Sequence, residues 1–208
     1  MPAEPPVKRT IAFFDGQNLF HAVKSAFGYT YPNYDAKALA NSICAARGWQ
    51  LDQVRFYTGV PDSTDNAMWN GFWAAKLLAM SRQGAWTFSR PLRYRNQTVK
   101  LPDGTLHAFL AAEEKGVDVR IALDVIRLAY SRDYDVALVF SQDQDLSEVA
   151  SEVRTISAEQ TRWIKMASAF PVSPVSRNKR GINSTDWIRI DRAGYDACID
   201  PRDYRPKT

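Results

Sequence analysis

Two short apolar runs that end on acids constrain this chain more than anything else in it. Ile11 to Phe14 stops at Asp15-Gly16-Gln17-Asn18, and Val136 to Phe140 runs into Ser141, Asp143 and Asp145. A continuous apolar run between polar turn residues reads as a strand buried on both faces, the pattern of a parallel sheet. In open α/β sheets the carboxyl ends of such strands are where ligands and metals bind. If both strands lie in one sheet, their carboxylates converge.

Strand-like and helix-like segments alternate along most of the chain, which points to a parallel sheet covered on both faces. A helix is expected over Asp35–Arg47, with Ala38, Leu39, Ile43 and Ala46 on one stripe and Gly48 as its stop. A longer one is expected from about Thr64 to Arg82, with Met68, Phe72, Ala75 and Ala79 on one face. Asp118 to Tyr130 is apolar nearly all round, which predicts a buried helix. Leu146, Val149, Ala150, Val153 and Ile156 repeat at helical spacing. Further strands are expected at 54–57, 86–88, 163–167 and 187–190. The alternation breaks once, where Leu92–Lys100 and Thr105–Leu110 flank Pro102-Asp103-Gly104 and read as an inserted β-hairpin with an Asp-Gly turn. Pro171–Gly181, which carries Arg177, Lys179 and Arg180, reads as a solvent loop. The expected organisation is a flexible lead over 1–8, one domain over 9–192 with the hairpin at about 92–110, and a C-terminal tail over 193–208.

Composition narrows the function classes. The 208 residues, 45% of them apolar and 24% charged, suffice for one α/β core. A net charge of +4 permits a polyanionic partner without demanding one. Cys44 and Cys198 form neither a metal motif nor a disulfide framework, so a reducing, cytoplasmic setting is expected. No apolar run approaches the roughly 20 residues of a membrane helix, and no membrane partner is expected. A homodimer stays open. His21 and His107 lack the spacing for zinc or for a catalytic triad.

Asp15, Asp118, Asp143 and Asp145 stand out by context. Mg²⁺ takes oxygen ligands, usually one or a few carboxylates, with waters and substrate phosphate completing the shell. Aspartates at strand ends are short and held by a stiff backbone, which suits that task, and Asn18 is placed to hydrogen-bond a nearby water or phosphate oxygen. Each acid has a plainer reading as well: Asp15 and Asp143 as turn residues, Asp118 and Asp145 as helix caps. Asp124 lies about 240° round the helix from Asp118, and Arg120 and Arg127 beside it favour a structural ion pair.

At these residues the chain resembles a known family. Phe13-Phe14-Asp15-Gly16-Gln17-Asn18-Leu19, Glu114-Lys115-Gly116-Val117-Asp118-Val119 and Ser141-Gln142-Asp143-Gln144-Asp145-Leu146 resemble the three motifs of the NYN domain family, which are PIN-like nucleases. The resemblance covers roughly residues 9 to 170. It implies a PIN-like three-layer α/β sandwich around a central, mainly parallel sheet, and a metal-dependent endoribonuclease. It also implies Mg²⁺ or Mn²⁺ held by Asp15, Asp118, Asp143 and Asp145, with Asn18 as companion amide and Asp124 supporting the site from behind. In the family's third motif a small residue, commonly glycine, usually separates the serine from the first aspartate, and another small residue separates the two acids. Here those places hold Gln142 and Gln144.

A nuclease needs a positive, partly aromatic surface for RNA. On that reading Asn18, Lys115 and Ser141 meet the substrate near the acids. Arg93 and Arg95 belong to a cluster with Arg82, Arg90, Tyr94, Lys100 and Trp86 that either guides RNA or is an ordinary solvated hairpin. Two other readings compete: an RNA-binding regulatory protein of the same fold with weak or no turnover, and a phosphohydrolase on small substrates. Against the last stands the lack of a second acid two residues after Asp15.

Overall fold

A computed structural model describes residues 2–113 and 115–205, leaving the side chains of 109–113 aside. Glu114 of the second motif and the end of the expected C-terminal tail lie outside the described residues. In chain order the elements are β1 (Lys8–Asp15), α1 (Gly16–Phe27), α2 (Ala36–Arg47), β2 (Trp49–Val60), α3 (Ala67–Arg82), β3 (Trp86–Pro91), β4 (Arg93–Lys100) and β5 (Leu106–Glu113). There follow α4 (Val117–Tyr130), β6 (Val136–Phe140), α5 (Ser147–Glu159), β7 (Lys165–Pro171), β8 (Asp186–Ile190) and α6 (Arg192–Asp196).

Six strands form one sheet in the order β3-β2-β1-β6-β7-β8, and every neighbouring pair runs parallel. Side chains alternate across the faces of a strand, and β1 shows what that does. Ala12 and Phe14 enter a core layer shared with α1, α2 and α3, while Ile11 and Phe13 enter the layer shared with α4 and α5. The result is the three-layer α/β sandwich. Strands β4 and β5 pair antiparallel as a separate two-stranded sheet, and the Asp103 carboxylate accepts from Thr105 in the turn between them. Among the described residues no helix is long and apolar enough to cross a membrane.

Three of the longer helices differ from the sequence expectation, and the short α6 lies where a tail is expected. Helix α1 was not expected at all; Asp15 caps its start and Gly28, at φ 81°, caps its end in the left-handed region. In α3 the buried stripe is Phe72, Trp73, Lys76 and Met80, whereas Met68 and Ala75 are exposed. Lys76 is fully buried, donating to the Tyr34 carbonyl at 2.8 Å and lying 3.8 Å from Asp200, so a charged residue faces inward where periodicity expects an apolar one. Helix α4 is buried on one face only, because Val119 and Leu123 are 56% and 57% exposed.

Residues beyond β8 return across the α1–α3 layer. Asp35 N–H donates to the Cys198 carbonyl, Asp200 N–H donates to the Asn33 carbonyl, and the Tyr195 hydroxyl donates to Asn33.

Candidate active site

The chain order of the strands reverses between β1 and β6, which pair with Phe14 opposite Phe140. A switch of this kind leaves a crevice outside the carboxyl ends of the two strands. Asp15 sits at one end and Ser141-Gln142-Asp143 just past the other, so the two acid junctions of the sequence meet.

Asp15 is 5% exposed and makes two bonds. One carboxylate oxygen accepts from Asn18 N–H at 3.1 Å, the N-cap bond of α1, and the other accepts from the Ser141 hydroxyl at 3.3 Å. The residue after it has to be small, since a Cβ on Gly16 would stand 2.8 Å from the Phe56 ring and 2.9 Å from the Tyr57 carbonyl. Asn18 accepts from Gln142 N–H at 2.9 Å, Asp143 N–H donates to the Ser141 hydroxyl at 3.1 Å, and Asp145 N–H donates to Asp143 at 3.0 Å. These bonds tie the first turn of α1 to the loop after β6 as one unit.

The crevice opens as a cleft of ≈ 450 Å³. Asp15 and Asp143 line it from the strand ends, Gln17, Asn18 and His21 from α1, and Lys115, Gly116, Asp118 and Val119 from the start of α4. Gly116, at φ 76°, occupies the N-cap of α4, and a Cβ there would press to 2.9 Å on the Arg90 guanidinium. Burial pushes the Asp15 carboxyl up to about 6; Asn18 N–H and the Ser141 hydroxyl oppose the rise, while the charges of Asp143 and Asp118 add to it. His21 is held below the ordinary imidazole value, first by burial and then by Lys24.

Asp15, Asp118, Asp143, Asn18 and Lys115 therefore share the cleft, and Ser141 stands just behind it. Asp145 is exposed on the short 3₁₀ turn Gln144–Leu146 and does not line the cleft; nor do Arg93 and Arg95, which are exposed on β4. Asp124 lies in a separate network. It pairs with Arg55 at 3.1 Å and Arg120 at 3.0 Å, Arg127 stands 3.7 Å away, and the Tyr57 hydroxyl donates to it at 2.9 Å. The ion pair that the helical spacing favoured is present, extended by Arg55 and Tyr57 from β2.

From sequence, His21 is weighed only for zinc or a triad and Gln17 has no role, because the place of both in the cleft depends on α1. With that helix in place, Asn18, His21, Ala22 and Ser25 share one face, and the signal for it was available in Leu19, Val23, Ala26 and Phe27 followed by Gly28.

The donor set suits a hard divalent cation, being carboxylate and amide oxygens without sulfur. Among the described residues no three His, Cys, Asp or Glu side chains approach closely enough to hold an ion between them. Magnesium sites commonly use one or two carboxylates and keep their waters.

The NYN domain profile matches residues 9–169. The chain belongs to the NYN domain family. That range holds all three motifs and both sheet halves up to β7, and it makes the fold a nuclease-type domain. No curated protein matches the chain. Among solved structures, a protein of unknown function from Vibrio parahaemolyticus is similar at 17% identity and a TM-score of 0.50, over 93% of this chain and 96% of that one. The likeness concerns the fold. MurG from Acinetobacter baumannii aligns at 11% identity and a TM-score of 0.32, over 88% of this chain and 45% of that one, too weak to carry an argument.

Proposed function

We propose that this NYN domain is a divalent-metal-dependent endoribonuclease, with a hydrated Mg²⁺ or Mn²⁺ taken into the cleft that Asp15, Asp143 and Asp118 line, one or two of these carboxylates binding it directly and waters completing its shell. The observation that carries the reading is the convergence of these carboxylates on one cleft at the sheet's switch point. The chemistry such an ion supplies is activation of water and neutralisation of charge building on the phosphodiester.

The chain's own residues do the positioning. The Ser141 hydroxyl and Asn18 N–H each occupy one oxygen of Asp15, so its carboxylate is fixed in one orientation. Asp145 acts through its N–H, which fixes Asp143. Lys115 lines the cleft beside Asp118 and carries the positive charge that a phosphate needs there. The Asn18 side-chain carbonyl is taken by Gln142 N–H, which leaves its amide NH₂ to donate to substrate oxygen.

A second reading, an RNA-binding protein without turnover, draws on the lack of a three-carboxylate cluster among the described residues. Incubation of labelled single- and double-stranded RNA with the protein separates the two. The nuclease reading expects cleavage in Mg²⁺ or Mn²⁺ that stops in EDTA; binding with no cleavage in either metal would establish the second reading instead.

A further inference from the structure

We propose that the acid cleft continues as a groove along α1 that holds one strand of RNA beside the scissile phosphate, with Arg177 on the strand's backbone and Gln142 and Gln144 holding Arg177's loop in place. This rests on the ribonuclease reading and adds the path of the substrate to it.

Three depressions share walls. Asn18 and His21 line both the acid cleft and a neighbouring cavity of ≈ 240 Å³ whose other side is built from Pro171, Ser176 and Arg177. His21, Ser25 and Arg177 carry the surface on into an open depression of ≈ 580 Å³ that adds Lys24. From Gln17 to Ser25 the helix rises about 12 Å, room for roughly three stacked nucleotides at about 3.4 Å each. Carboxylates stand at one end of this path and two cations at the other. A polyanion that presents one phosphate to a metal and its neighbours to cations needs that distribution.

The two glutamines explain why the loop is there. The Gln142 side-chain amide donates to the Arg180 carbonyl at 2.7 Å and the Asn178 carbonyl at 3.4 Å. The Gln144 amide donates to the Gly181 carbonyl at 3.0 Å, and its oxygen accepts from Asn183 N–H at 3.2 Å. A glycine at either place makes none of these bonds. Both glutamines therefore act as positioning residues, fastening the loop after β7 to the strand-end motif. Within that loop Lys179 is spent on the Pro174 carbonyl and Arg180 on Asn183. Arg177 makes no hydrogen bond or ion pair among the described residues, and it is the one that lines the groove.

Fluorescence anisotropy with single-stranded RNA of about two to about eight nucleotides tests this in EDTA, where cleavage is stopped. Affinity of the wild type should rise with length. Arg177→Ala should lose about tenfold on the longer strands, with the slope of log affinity against log salt reduced by about 0.7, and Arg177→Lys should restore most of both. Gln144→Ala should show the same loss of slope, and in Mg²⁺ both alanine variants should raise KM rather than lower kcat. Arg177 is exposed, so its variant decides the matter even if Gln144→Ala fails to fold. Wild-type binding and cleavage with an unchanged Arg177→Ala would overturn the groove and leave the ribonuclease reading standing. A wild type that neither binds nor cleaves RNA of any length would overturn both.

Discussion

Asp15 and Asp124 are both almost fully buried carboxylates, 5% and 1% exposed, and their surroundings are opposite. Asp124 is enclosed by Arg55, Arg120, Arg127 and the Tyr57 hydroxyl, a network that joins α4 to β2. Asp15 has an amide N–H and a serine hydroxyl, and the charges of Asp143 and Asp118 oppose its ionisation. A buried charge that already has its counter-charges belongs to the architecture. One that lacks them, at the edge of a cleft, is a functional-site candidate, and on the proposed function its counter-charge is the metal ion.

The contrast is broken most sharply by exchanging the acids for neutral residues. Asp15→Asn keeps a side chain able to cap α1, so the fold should survive, while RNA cleavage in Mn²⁺ should fall on the order of a thousandfold or more. Cleavage near the wild-type rate would remove Asp15 from the reaction. Asp124→Ala should do the reverse. It strands Arg55 in a buried position, and the loss in urea unfolding should be about 3–5 kcal/mol. Residual folded protein at low temperature should still cleave, and a variant as stable as the wild type would show that the network is ornamental.

The pH dependence of stability sharpens the same comparison. Asp15 holds its proton up to about 6 in the folded protein against 3.8 for the free side chain. Its protonated form is thus favoured by folding, and that contribution is complete at low pH and lost as pH rises through about 6. In metal-free buffer, wild-type stability should fall by up to about 3 kcal/mol between about pH 4 and pH 7 on this account. Asp15→Asn should lack that fall, and parallel curves for the two proteins would contradict it. The smallest effect is expected at the hairpin. Arg93 and Arg95 lie off the cleft, and replacing both with alanine should weaken RNA binding by less than about threefold, as one or two screened surface contacts do. A loss as large as that of Arg177→Ala would move the substrate path to β4.

The sheet was legible because parallel strands buried on both faces write themselves as unbroken apolar runs, and β1 and β6 are such runs. The site followed, since each run ends on acids and the two strands pair. Helix α1 was hidden because its first turn, Gly16-Gln17-Asn18, looks like a ligand loop, and the capping role of Asp15 became visible only with the helix. In α3 the inward Lys76 shifted the apparent stripe, because its partners Tyr34 and Asp200 are far away in sequence. The same distance concealed the glutamine contacts: nothing local to Gln142 or Gln144 announces the carbonyls of residues 178–181 that they hold. Exposure of Val119 and Leu123 on α4 was likewise unreadable, since an exposed apolar residue has the same spelling as one in the core.

Direct measurement of Mn²⁺ binding by electron paramagnetic resonance, in the wild type, Asp15→Asn and Asp124→Asn, tests the contrast between the two acids most closely. The wild type should bind the ion, Asp15→Asn should lose it, and Asp124→Asn, at a temperature where it is folded, should keep it. Undiminished Mn²⁺ binding by Asp15→Asn would contradict the assignment of this cleft as the metal centre.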